Sequence, residues 1–214
     1  MKILLTGFDP FDREKVNPAF EAVKLLPDTI AGAQIVKLEV PTQFVRAGKV
    51  LEAAMAEHKP DVVICVGQAG GRVAITPEKV AINLMDGRIP DNAGYQPVDV
   101  PIRADGPAAY FATLPVKAMV QRMQDAGIPA AVSYTAGTYV CNSLMYTLLF
   151  LIDRKFPGVR GGFIHVPYAM EKAVNKPLGT PSMDLRQISR GLEKAVEAVV
   201  ICGRDTAVPM GTTH

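Results

Sequence analysis

Short apolar runs alternate along the chain with stretches whose apolar residues recur at helical spacing. Residues 2–6 form a first apolar run and predict a buried strand. Asn17 followed by Pro18 predicts a capped helix start, with the helix reaching about Leu26. Residues 34–40 read as the next strand. Thr42 is placed to cap a second helix, in which Val45, Val50, Leu51, Ala54 and Met55 keep helical spacing until His58, just before Pro60. DVVICVGQ, residues 61–68, is apolar throughout and closed by glycines, as in a strand covered on both faces. Further strands are predicted at 80–84, 130–134 and 161–168. Helices are predicted at 115–125, stopped by Gly127, at 142–155, and from about Ser182 to Cys202.

Strands alternating with helices imply an α/β fold. The expectation is a single-domain, three-layer α/β/α sandwich around a mostly parallel, twisted sheet. In such sheets ligands bind beyond the carboxyl ends of the strands. The chemistry is therefore sought in GFDPF, GQAGGR and TYVC and around HVPY. Residues 83–107 resist assignment, being rich in Gly, Pro and Asp with little periodicity. A structureless stretch of that length is usually functional, and a wall or lid of the site is expected there.

Composition narrows the class. The chain has 214 residues, 49% hydrophobic and 21% charged, which suits one folded domain over residues 1–214. With 23 basic against 21 acidic residues and no basic run, nucleic acid is not expected as a partner. The start, MKILLTGFDP, is too short in its apolar run for a signal peptide, and no stretch is long enough to span a bilayer. Three cysteines without a C-x-x-C pair argue against a disulfide framework or a zinc site and fit a reducing compartment. A cytoplasmic protein without membrane partner or metal site is the expectation.

Elimination then selects a nucleophile. Cys65 lies inside a buried run, and Cys202 ends the last helix without His or acid nearby in sequence. Cys141 lies between a loop and a long helix, where free N–H groups and the helix dipole favour a thiolate and could hold an oxyanion. Of the three histidines, His58 sits at a helix end and His214 is terminal. His165 lies in an apolar strand, a costly place without partners. Its strand follows the Cys141 helix, so a right-handed crossover can bring the two together as a Cys–His pair. Spacing alone leaves the third, acidic member open among Glu78, Asp86, Asp91 and Asp99.

Six segments together resemble the pyroglutamyl peptidase I (pyrrolidone carboxyl peptidase) family. They are LLTGFDPF (4–11), ICVGQAGGR (64–72), ITPEKVAIN (75–83), RIPDN (88–92), SYTAGTYVCN (133–142) and GGFIHVPY (161–168), in the family's order. The family often has glycines after GFDPF, where this chain has Asp12 and Arg13, and Phe where it has Tyr139.

The resemblance implies a Cys–His–Glu triad of Cys141, His165 and Glu78. It also implies a ring pocket. Phe8, Phe11, Ile89, Tyr139 and Val140 match positions lining it, Gln68 the polar partner of the lactam, and Arg88 a position at the oxyanion. Asn17 belongs to the same pattern, though helix capping explains it equally well. The implied reaction releases pyroglutamate from N-terminally pyroglutamylated peptides by way of a thioester, with no cofactor, in an enzyme commonly built as a homotetramer. Two rivals are weighed: a nucleoside-phosphorylase-like enzyme with GQAGGR holding phosphate, and a silent binding module, which the presence of all three triad members opposes.

Overall fold

The computed structural model describes residues 1–11 and 16–212; Asp12, Arg13 and His214 lie outside them. In chain order the elements are β1 (Lys2–Phe8), α1 (Pro18–Lys24), β2 (Thr29–Ile30), β3 (Ala33–Val40), α2 (Phe44–His58), β4 (Val62–Gln68), β5 (Thr76–Pro77) and β6 (Val80–Ile82). There follow β7 (Ala109–Phe111), α3 (Val116–Asp125), α4 (Val140–Arg154), β8 (Arg160–Val166), β9 (Tyr168–Ala169), α5 (Met170–Ala173), β10 (Ser182–Met183) and α6 (Leu185–Ile201).

The main sheet runs in the order β2-β3-β1-β4-β8-β5. Its four inner strands are parallel, and β2 and β5 pair antiparallel at the edges. Helices α2 and α4 pack on each other over one face, while α1, α3 and α6 cover the other. This is the three-layer α/β arrangement expected from the alternating pattern. The strands β1 and β4 are buried almost end to end because both faces are covered. From β1 the chain moves outward to β3; from β4 it moves the other way, to β8. The order thus reverses between β1 and β4, and the crevice beyond their carboxyl ends is where such a fold takes its ligand. Phe8 ends β1 and Gln68 ends β4.

Asn17 caps α1 as expected, its side-chain oxygen accepting from Ala19 N at 3.1 Å. Thr42 does not cap α2. Its hydroxyl donates to Asp9 O, and Gln43 occupies the cap position without a side-chain bond. The free N–H of Phe44 goes instead to Asp91 Oδ2, 47 positions along the chain, at 2.9 Å. Helix α4 begins at Val140 rather than Asn142, so Cys141 lies within its first turn. The last helix starts at Leu185, where Asp184 accepts from Arg186 N and Gln187 N.

The expected strand at 130–134 is not a regular one; among the described residues it pairs only through the isolated bridges Ile75–Ala130 and Glu78–Ser133. The cause is Pro77. The bonds Ala131 N to Ile75 O, Ser133 N to Pro77 O and Lys79 N to Ser133 O form, but proline has no N–H to give between them.

Residues 83–107 are fastened at several points. Asn83 donates to Arg103 O and Gly106 O and accepts from Arg103 N, drawing the two ends together. Asn142 accepts from Ile82 N and donates to Ile82 O and Leu84 O. The hydroxyls of Tyr139 and Tyr146 donate to Pro90 O and Pro107 O. No helix among the described residues is long and apolar enough to cross a membrane.

Candidate active site

A cavity of about 160 Å³ opens at the crevice beyond β1 and β4. That is small beside the roughly 300–1,000 Å³ of sites for drug-sized ligands, and suits one small ring. Phe8, Phe11, Tyr139 and Val140 supply apolar walls, with Asn17, Thr42 and Gln68 as polar groups and Cys141 and His165 at the reactive end. Tyr139 is braced by Phe11 at 6.4 Å and by Phe44, edge-on, at 5.1 Å between ring centroids.

Sheet register assembles the reactive end. In the β4–β8 ladder Gly67 stands opposite His165 and Cys65 opposite Phe163, so all four point to the α4 face. Strand β5 runs antiparallel to β8 with Thr76 opposite His165, and Glu78 N donates to Phe163 O at 2.9 Å. Glu78 is therefore a diagonal neighbour of His165. Its Oε1 lies 2.7 Å from His165 Nδ1. Both side chains are buried, Glu78 wholly and His165 to 4% exposure. A carboxylate only accepts, so Nδ1 carries the hydrogen and Nε2 keeps its lone pair.

Cys141 arrives from the other direction, in the first turn of α4. A Cβ built on Gly67 would meet its Sγ at 3.0 Å and the Phe163 ring at 2.7 Å. Only a residue without a side chain lets the thiol lie against the sheet beside His165. No side chain among the described residues caps this helix start. The backbone N–H groups of its first turn, which have no helical acceptor, are left for a substrate oxygen.

The electrostatics differ from the simple expectation of a thiol lowered by a helix end. Burial, followed by the charge of Glu78, pushes Cys141 up to about 12; Arg72 and its own backbone N–H oppose this. Burial also holds His165 below its ordinary 6.5, against the raising influence of Glu78. Both shifts favour a neutral thiol beside a neutral imidazole in the resting site. Cys65 is likewise pushed to about 12 but is fully buried, so accessibility is what separates the two.

The other expected site residues fall into three groups. Asn17 lines the cavity, but its oxygen caps α1 and its nitrogen donates to Asp9 O at 3.0 Å, so capping accounts for most of its bonding. Gln68 lines the cavity with Oε1 accepting from Lys172 Nζ at 3.2 Å. Lysine can only donate, so the amide nitrogen of Gln68 is left to face a carbonyl. Arg88 and Ile89 are not on the cavity wall. Arg88 is exposed on the 83–107 segment, and Ile89 is half-buried beside it. Of the alternative acids, Asp91 is spent on Phe44 N, Ala93 N and Tyr95 N, while Asp86 and Asp99 are exposed.

Three features were not anticipated from the sequence. Thr42 joins the cavity lining, Gly67 makes room for the thiol, and Arg72 meets Glu78 Oε1 at 2.6 Å. The signal for Arg72 was present, since it closes GQAGGR six residues before Glu78. Among the described residues no group of three or more His, Cys, Asp or Glu could hold a metal ion.

A thiol at an open helix start, an imidazole and a buried carboxylate at the crevice of an α/β sheet are the layout of a cysteine hydrolase. The model of the pyroglutamyl peptidase family matches residues 1–201. A pyrrolidone-carboxylate peptidase of Streptococcus pneumoniae is 56% identical over 215 residues, covering 100% of both chains. The structure of pyroglutamyl peptidase I from Bacillus amyloliquefaciens aligns with a TM-score of 0.93 at 49% identity, over 97% of this chain and 99% of that one. Pyrrolidone carboxyl peptidase from Thermococcus litoralis aligns with a TM-score of 0.93 at 40% identity, over the same shares. The chain belongs to the pyroglutamyl peptidase family. Nothing supports the phosphorylase alternative.

Proposed function

We propose that Cys141, His165 and Glu78 hydrolyse the amide bond after an N-terminal pyroglutamyl residue. As a member of its family the enzyme is a cysteine peptidase that removes this residue from peptides. The observation that carries the residue assignment is the joint placement of Cys141 and His165 on one small, apolar cavity, with Glu78 at 2.7 Å behind the imidazole.

A pyroglutamyl ring is a flat, uncharged lactam. Phe8, Phe11, Tyr139 and Val140 suit its faces, and the amide nitrogen of Gln68 suits its carbonyl. Cys141 Sγ attacks the scissile carbonyl carbon while His165 Nε2 takes the thiol proton. The oxyanion is held by N–H groups of the first turn of α4, and Arg88 is assigned to approach it when the substrate is bound. His165 passes the proton to the departing amine, and a thioester remains. The imidazole then draws a proton from water as its oxygen attacks the thioester carbon; the C–S bond breaks, the proton returns from His165 to Cys141 Sγ, and pyroglutamate leaves. Glu78 holds the ring of His165 and offsets the imidazolium charge formed in each half.

The whole chain is assigned as one catalytic domain, working in the cytoplasm as a homotetramer. The three free cysteines fit a reducing compartment, and the tetramer follows from family resemblance. The test is hydrolysis of a fluorogenic pyroglutamyl amide by purified protein, with sedimentation run alongside. Release of fluorophore that needs reducing agent and is lost in Cys141→Ser supports the reading. Full activity in that variant refutes it.

A further inference from the structure

We propose that Arg72 is a positioning residue for this hydrolysis, fixing Glu78 against His165 and balancing its buried charge. The proposal rests on the Cys–His–Glu assignment above and adds a fourth member that acts through Glu78. Arg72 leaves the glycine turn after β4 and reaches across to β5. Its Nη1 donates to Glu78 Oε1 at 2.6 Å and also to Thr76 Oγ1. Its Nη2 donates to Thr135 O at 3.0 Å. The guanidinium is thus held at three points on two segments, as its planar fork allows and an ammonium would not.

The same carboxylate oxygen serves Arg72 and the imidazole, while Glu78 Oε2 has no hydrogen-bond partner among the described residues. A wholly buried carboxylate needs a paired charge, and Arg72 supplies it from a position only a quarter exposed, at 26%. The direction of the Oε1 lone pairs toward His165 is then set by where Arg72 sits. Among the described residues the charged and titratable groups around the imidazole are Glu78 and Arg72 on the β5 side, Cys141 from α4 and Cys65 from β4. Lys172 of α5 lies further out, on Gln68. Of these, Glu78 favours protonation of His165 and Arg72 opposes it.

That opposition gives a test with a sign. Arg72→Gln should lower kcat about tenfold to a hundredfold, a part of the roughly 10²–10⁴ supplied by general acid–base catalysis, with KM little changed. Without the cation, His165 takes its proton at higher pH, so the acid limb of kcat/KM should move up. The alkylation of Cys141, which needs no substrate, should follow to higher pH as well, because Arg72 also holds that thiol down. Arg72→Lys keeps the charge and loses the fork. It should lower kcat while leaving the acid limb near that of the unaltered enzyme.

Both variants are first checked for native circular dichroism and thermal melting. An unmoved acid limb in folded Arg72→Gln overturns the proposal, as does an equal shift in Arg72→Lys. Should Arg72→Gln fail to fold, Arg72→Lys decides alone: lowered kcat with the limb in place supports the proposal, and unchanged kcat overturns it. Activity surviving in Cys141→Ser would instead defeat the underlying assignment, and the alkylation profile keeps the two failures apart.

Discussion

Gly67 and His165 face each other across the β4–β8 ladder, and the side chain that Gly67 lacks is the space that the Cys141 sulfur fills. Thiol and imidazole are therefore brought together by an omission in the sheet. Gly67→Ala should test this directly. The added methyl would lie 2.7 Å from the Phe163 ring and 3.0 Å from Sγ, so the ring must shift and the thiol beside it give way. Overpacking should cost about 1–3 kcal/mol of stability. The misplaced sulfur should lower kcat on the order of 10²-fold. Steady-state kinetics and a thermal melt check both, and full activity would show that the thiol tolerates displacement.

Cysteine reactivity should follow access. Iodoacetamide should modify Cys141 and abolish activity, with prior occupancy by a pyroglutamyl ligand protecting it. Cys65, at 0% exposure, should stay unmodified in the folded protein. Cys65→Ser and Cys202→Ser should retain substantial activity if folded. Mass spectrometry of peptides after a short exposure reads the outcome, and equal labelling at Cys65 and Cys141 would refute it.

The role of Glu78 has a pH signature opposite to that of Arg72. His165 already sits below its ordinary 6.5 through burial, so the neutral base persists to lower pH than a free histidine. Glu78 works against that by its hydrogen bond and its charge. In Glu78→Gln the acid limb of kcat/KM should therefore move further down. Turnover should fall between about tenfold and a thousandfold, overlapping the general acid–base range of roughly 10²–10⁴, because the imidazolium formed in each step would lose its partner. An upward shift, or full activity, would remove Glu78 from the mechanism.

Gln68→Leu should weaken recognition of the ring more than it alters the fold. Leaving a lactam carbonyl without its donor costs about 1–3 kcal/mol, or roughly fivefold to 150-fold in kcat/KM. The loss should appear mainly as a raised KM. Unchanged kinetics would place recognition of the lactam elsewhere.

Much of this was legible in the residues themselves. The apolar runs of β1, β4 and β8 and the Asn17–Pro18 helix start are local signals, and the structure repeats them. Elimination led to Cys141 and His165 because a buried imidazole and a thiol at a helix start are each conspicuous. What stayed hidden depends on register and distance. Glu78 follows Thr-Pro in a two-residue strand, and nothing in its neighbourhood shows that it will lie diagonal to His165. The cap of α2 comes from Asp91, far away in sequence, so the nearer Thr42 looked the natural choice. The strand at 130–134 was expected from its apolar pattern and broken by a proline on its partner, beyond the reach of any local pattern.

Asp9 shows what kind of container this makes. Its carboxylate accepts from Thr42 N and Asn92 Nδ2, and its carbonyl accepts from Thr42 Oγ1 and Asn17 Nδ2. The end of the first strand, the entrances of two helices and the outer segment thus meet at one residue. A mould tied in this way is set before any guest arrives, so a rigid ring spends little freedom on entering it. The same stiffness gives it little room to stretch. A six-membered lactam, one methylene larger, should therefore be accepted less readily, because the walls that would need to part are knotted together behind it; comparing the kcat/KM of the two lactam amides checks this.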